Sequence, residues 1–139
     1  MELKEFSNML QKMRRIEYKL SKKFEQSTGF SLTRHEILLY IATHEQVVQT
    51  EIAAHLDIDP AAVTRQLKYL EKNNYVTRKK NDENARERIV SLTDYAKETM
   101  QKCHEKHKID DYTLPVNLTK EEVQNFMQQL NTIEEKIDY

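Results

Sequence analysis

Residues 49–93 read QTEIAAHLDIDPAAVTRQLKYLEKNNYVTRKKNDENARERIVSLT, and this stretch decides the fold. Thr50 can cap a short helix carrying Ile52, Ala53 and Leu56. Asp59-Pro60 then starts a second helix, with an acidic N-cap and proline at the first helical position. That helix runs to about Lys72 and ends at Asn73-Asn74, where asparagine tolerates the left-handed conformation. Tyr75–Lys80 and Glu87–Leu92 are β-prone, and the polar loop from Asn81 to Arg86 joins them as a hairpin. Helix, short turn, helix and two-stranded ribbon make the plan of a winged helix-turn-helix. That plan sets one helix in the DNA major groove with a β-wing beside it.

The charge pattern agrees. Residues 60–93 hold 8 Lys/Arg and 4 Asp/Glu, a balance of +4, whereas residues 1–59 stand at −1 and residues 94–139 at −4. A nearly neutral chain thus gathers its positive charge where a polyanion would dock. With 139 residues, one glycine and two prolines, the chain reads as a single, mainly α domain, 1–139. The winged part occupies 32–93, and the helical flanks 1–28 and 94–139 form an expected dimerisation part. A single cysteine excludes an internal disulfide framework and suits a reducing, cytoplasmic setting. No apolar run approaches the ~18 residues of a membrane span, and Met1 is followed by charged residues instead of a signal-peptide core. An enzyme is not expected: there is no glycine-rich phosphate loop, no nucleophile elbow and no paired acidic constellation.

Outward from the winged unit, residues 3–26 carry Phe6, Met9, Leu10, Met13, Ile16, Leu20 and Phe24 at helical spacing. Gly29 falls where a left-handed stop can sit. Thr33 and Glu36 form a Thr-x-x-Glu capping box ahead of Ile37, Leu38, Tyr40 and Ile41. Thr93 caps a helix reaching about Lys108, and 109–118, containing Pro115, is a connector. Thr119 and Glu122 repeat the capping box and open a last helix, with Val123, Phe126, Met127, Leu130, Ile133 and Ile137 in its stripe. The two terminal stripes either pack on each other or pair with a second copy. A helix-turn-helix that reads two half-sites favours the homodimer.

Within residues 60–72, Val63, Leu67 and Leu70 share the face that should meet the core, and Ala61, Thr64, Arg65 and Lys68 share the opposite one. Arg65 can fork onto guanine O6 and N7, and Thr64 can meet a base edge or a thymine methyl. Gln66 on the flank can reach adenine or a phosphate, and Lys68 suits a phosphate. Thr50 opens the preceding helix on the same side. The wing adds Arg78, Lys79, Lys80, Arg86 and Arg88, with Arg86 at the tip where a guanidinium fits a narrow minor groove. Taken alone, each is an ordinary solvated surface charge; their convergence on one helix-turn-helix points to double-stranded DNA.

These residues resemble the MarR family of bacterial transcription regulators over nearly the whole chain. Leu32-Thr33-Arg34-His35-Glu36-Ile37 is similar to the family's second-helix opening, and Thr50-Glu51-Ile52-Ala53-Ala54-His55-Leu56 to its third helix. Ile58-Asp59-Pro60-Ala61-Ala62-Val63-Thr64-Arg65-Gln66-Leu67 and the exit from Leu70 to Arg78 resemble its recognition helix. Asn84-Ala85-Arg86, then Val90-Ser91-Leu92-Thr93, resembles its wing, which usually reads Asp-x-Arg and then Leu-Thr. Asn74 and Ala96 stand where the family often has glycine. Asn84 replaces the wing aspartate, which leaves Asp82 as the acid to orient Arg86. The resemblance implies a dimer whose first, fifth and sixth helices interleave. It also implies binding to a pseudo-palindromic operator, usually as a repressor, with release by a ligand or oxidant.

Three kinds of effector are open. A small, often aromatic ligand would lie in a cleft lined by Arg15, Tyr18, His35 and Tyr40. Zinc would use Cys103 and His107, four residues apart on one helix face, with His35 and Glu36 as further donors; otherwise no cofactor is expected. Oxidation is the third, but the family's peroxide-sensing branch carries its cysteine near the first helix, where this chain has none. The alternative to a regulator is a winged helix used for protein contacts, against which the basic balance of 60–93 argues.

Overall fold

The computed structural model describes residues 1–107 and 116–137. The elements are α1 (Leu3–Thr28), α2 (Leu32–His44), β1 (Gln46–Val48), α3 (Gln49–Leu56), α4 (Pro60–Lys72), β2 (Val76–Lys80), β3 (Arg88–Leu92), α5 (Asp94–Lys106) and α6 (Lys120–Lys136). They fall into two units, residues 1–109 and 110–139. The expected connector 109–118 with Pro115, and the end of α5 at Lys108, lie mostly outside the described residues.

The first unit is built on the helix faces that periodicity marks out. Ile37, Leu38 and Ile41 of α2, Ile52 of α3, and Val63, Leu67 and Leu70 of α4 are buried against one another. Phe30, Val47, Val76 and Val90 close the same core. The sheet is antiparallel in the order β1-β3-β2, with Val47 opposite Val90 and Lys80 opposite Arg88. β1 is an addition to the sequence reading. Three residues are too short to show alternation, and the strand exists because its partner β3 arrives from some forty residues further along the chain.

Several punctuation marks sit where the sequence puts them. Gly29 is left-handed at φ +79° and donates its N–H to Glu25 O at 2.8 Å. Asp59 caps α4 by accepting from Ala62 N at 3.1 Å, with Pro60 behind it. Asn74 takes φ +63°, and Thr93 caps α5 by accepting from Ala96 N at 3.0 Å.

Two caps differ. The helix α2 starts two residues earlier than the Thr33–Glu36 box, because Ser31 emerges extended from the Gly29 turn and its hydroxyl accepts from Arg34 N at 3.3 Å. Thr50 does not cap α3. The strand β1 feeds straight into the helix, Val48 holds the cap position without a side-chain bond, and Thr50 lies inside the first turn.

The second unit contains α6. Its capping box forms as expected: Glu122 N donates to Thr119 Oγ1 at 3.1 Å, and Thr119 N donates to Glu122 Oε2 at 2.8 Å. Its apolar stripe stays about half exposed, from Val123 at 44% to Met127 at 50%, apart from Leu130, which is partly buried. The α1 stripe is similar, with Phe6 at 44% and Leu10 at 48%.

Candidate nucleic-acid interface

Burying Val63, Leu67 and Leu70 fixes the rotation of α4 about its axis, and so turns residues 61, 64, 65 and 68 outward. Ala61, Arg65 and Lys68 are exposed and Thr64 half-buried. Neither the Arg65 nor the Lys68 side chain has a hydrogen bond or ion pair among the described residues. The Thr64 hydroxyl is engaged: it donates to Pro60 O at 3.0 Å and accepts from Gln49 Nε2 at 3.4 Å.

Between the start of α3, the face of α4 and the wing lies a cleft of about 320 Å³. Six of the residues chosen from the sequence line it: Thr50, Thr64, Lys68, Arg78, Arg86 and Arg88. Lys79 and Lys80 are exposed on β2 beyond it. The wing tip is held by its own asparagines. Glu83 N donates to Asn81 Oδ1 and Arg86 N to Asn84 Oδ1, both at 3.1 Å. Asn84 therefore orients Arg86 through the backbone, as an aspartate carboxylate could. Asp82 takes no such part, since the one ion pair among the described residues is elsewhere.

That ion pair is made by Arg78, and it gives this residue a task inside the protein beside its place in the cleft lining. Its side chain is only 10% exposed, and it forks onto Glu71, with Nη2 to Oε1 at 3.0 Å and Nε to Oε2 at 3.2 Å. A further bond runs from Nη1 to Gln49 Oε1 at 3.4 Å. The Arg78 hydrogen bonds hold the Glu71 carboxyl below the usual carboxylate range. Arg78 thus ties β2 to the last turn of α4 and the first turn of α3. Gln66 is likewise engaged, accepting from Arg34 Nε at 2.9 Å. The guanidinium of Arg34 lies 3.6 Å over the Tyr69 ring. Arg34, Gln49, Tyr69 and Glu71 were not selected from sequence, because each acts through a partner on another element.

The residues proposed for effectors do not assemble in this way. Arg15 and Tyr18 are exposed on α1, with Lys22 Nζ 4.6 Å over the Tyr18 ring. His35 packs edge-on to Phe24 at 5.2 Å, and burial lowers its pKa. Burial raises that of Glu36. Tyr40 packs with His44 and His55 at 4.2 and 5.3 Å between ring centroids. None of Arg15, Tyr18, His35 and Tyr40 lines the cleft beside the wing or a second one, of about 600 Å³, between the end of α2, β1, β3 and α5. Cys103 Sγ lies 3.7 Å from His107 Nδ1, but that nitrogen is 2.6 Å from Cys103 O, and Nε2 is 3.2 Å from Ser27 Oγ. No group of three or more His, Cys, Asp or Glu able to hold a metal occurs among the described residues, so His35 and Glu36 do not join the pair.

A buried helix-turn-helix core, an outward basic helix face and a two-stranded wing define a winged helix-turn-helix protein. The signature of the MarR family matches residues 30–87, and the chain belongs to that family. The HTH-type transcriptional regulator YdgJ of Bacillus subtilis is 33% identical over 97 residues, which cover 70% of this chain and 59% of YdgJ. The chain thus matches about three-fifths of that relative's length. The HTH-type transcriptional regulator SarZ of Staphylococcus epidermidis is 28% identical over 106 residues, covering 73% of this chain and 68% of SarZ. Among solved structures, a mutant MarR from E. coli complexed with operator DNA superposes with a TM-score of 0.81 at 22% identity, over 96% of this chain and 99% of that one. That likeness establishes the fold.

Proposed function

We propose that the chain is a sequence-specific, double-stranded DNA-binding transcriptional regulator that works as a homodimer on a pseudo-palindromic operator. The observation that carries this reading is the outward face of α4, with Ala61, Arg65 and Lys68 exposed and Thr64 half-buried, set beside the cleft that Arg86 and Arg88 of the wing line. Base-reading and phosphate-neutralising groups then lie on one side of the molecule, as groove docking requires. The half-exposed apolar stripes of α1 and α6 support the homodimer, since each needs a partner to leave water. Repression, release by a small organic effector and a cytoplasmic location complete the proposal. Among the described residues no helix is long and apolar enough to cross a membrane.

The test is a salt titration of binding to the DNA upstream of the chain's own gene, against random competitor, with zinc, a chelator and aromatic acids as separate additions. A specific regulator gives binding that survives competitor and a steep salt slope. Arg65→Ala should cost roughly 1–3 kcal/mol at its base and relax preference there. Operator affinity and preference both unchanged in Arg65→Ala would overturn the assignment of the reading face.

A further inference from the structure

The flank of α4 away from the wing carries a device that the reading face does not use. Gln66 is half-buried there, and Arg34, from the first turn of α2, donates its Nε–H to Gln66 Oε1 at 2.9 Å. A guanidinium has only donors, so the amide atom facing it must be the carbonyl oxygen, which removes the usual ambiguity of a glutamine flip. Arg34 is itself held in plane, 3.6 Å over the ring of Tyr69, one turn further along α4. The amino group of Gln66 is the end of the amide that no group in the described protein engages.

We propose that Arg34 is a positioning residue for base readout: it fixes the Gln66 amide so that Gln66 meets DNA with its amino group. The inference rests on the DNA-binding reading above. A glutamine free to turn reads adenine by presenting oxygen and nitrogen side by side to N6–H and N7. With its oxygen held on the α2 side, Gln66 instead offers donors. Its best partners are base edges rich in acceptors, guanine with O6 and N7 or thymine with O4, whereas adenine sets the N6 donor beside its single acceptor N7. Arg34 needs no contact with the base. Its planar fork and ring stack make it poorly replaceable by lysine.

The experiment is selection of bound sequences from a randomised duplex pool by the full chain, in parallel for wild type, Gln66→Met, Arg34→Met and Arg34→Lys. Base preference is the readout, because a merely structural role would weaken all sequences alike. Wild type should enrich guanine or thymine at one position of each half-site. Gln66→Met should flatten that position by roughly tenfold. Arg34→Met should admit adenine there and leave the other positions unchanged. Should Arg34→Met fail to fold, Arg34→Lys keeps a cation without the planar stack and should relax the same position. Adenine at the Gln66-dependent position in wild type would overturn the proposal, as would a Gln66→Met profile identical to wild type. An unaltered preference in whichever Arg34 variant folds would do the same. Those outcomes leave the DNA-binding reading standing; enrichment of no sequence by wild type would remove both.

Discussion

Arg78→Met asks whether the wing arginine touches DNA or builds the surface that does. Arg78 is 10% exposed and makes two bonds to Glu71, at 3.0 and 3.2 Å, but Glu71 is itself 41% exposed. A fully exposed ion pair contributes well under ~1 kcal/mol, whereas sheltered hydrogen bonds to a charge reach about 1.5–3 kcal/mol. A pair sheltered on one side falls between, so its loss should cost about 1–2 kcal/mol and lower the melting temperature by roughly 3–8 °C. Methionine preserves the buried stem, so little of that loss comes from packing. Thermal unfolding gives the stability, and a double mutant with Glu71→Gln should be little worse than either single change. The sign with pH follows from Glu71. Its carboxyl is held low by Arg78, so its contribution is present above the unfolded value of 4.5 and fades as pH falls through the folded one; Arg78→Met should lose that acid-side dependence. In a salt titration, loss of a phosphate contact would reduce the slope by about one. An internal arginine predicts an unchanged slope with affinity lowered evenly. An unchanged melting temperature together with a slope reduced by about one would refute the reasoning.

Three further outcomes are expected. Leu67 is fully buried, so Leu67→Ala should cost about 2–5 kcal/mol by urea unfolding, and a loss under about 1 kcal/mol would mean that α4 does not close the core as described. Asn74 sits at φ +63°, so Asn74→Ala should cost about 1 kcal/mol while Asn74→Gly stays near wild type; the reverse order would contradict the left-handed turn. Burial lowers the pKa of His35, so the unfolded chain takes up its proton first. Stability should therefore fall as pH drops from 7.5 through about 6.5, and less so in His35→Gln. Glu36 is raised by burial and works in the opposite sense, so the comparison belongs above about pH 5.5. Parallel pH curves for wild type and variant would discount His35.

The winged unit was legible because its signals are local. Asp59-Pro60, the Val63, Leu67 and Leu70 spacing and the Asn73-Asn74 exit each lie within a few residues of what they control. The strand β1 was not legible, since its existence depends on β3. Nor were the tasks of Arg78 and Gln66. The sequence shows a basic or amide side chain on a wing or recognition helix but not the bonds it makes inside the protein, here from Arg78 to Glu71 and Gln49 and from Arg34 to the Gln66 oxygen. The cap of α2 was misplaced for a smaller reason: Ser31 and Thr33 are both good caps, and the Gly29 turn delivers the chain to the first of them.

The wing tip contains no glycine, and its shape is set by asparagine side chains bonding to backbone N–H groups at Glu83 and Arg86. A loop fixed in this way gives up its conformational entropy when the protein folds, not when it meets DNA. On the proposed DNA-binding reading, Arg86 would approach a groove on a stem already shaped, and the rate of docking would depend on diffusion and charge instead of a search among loop conformers.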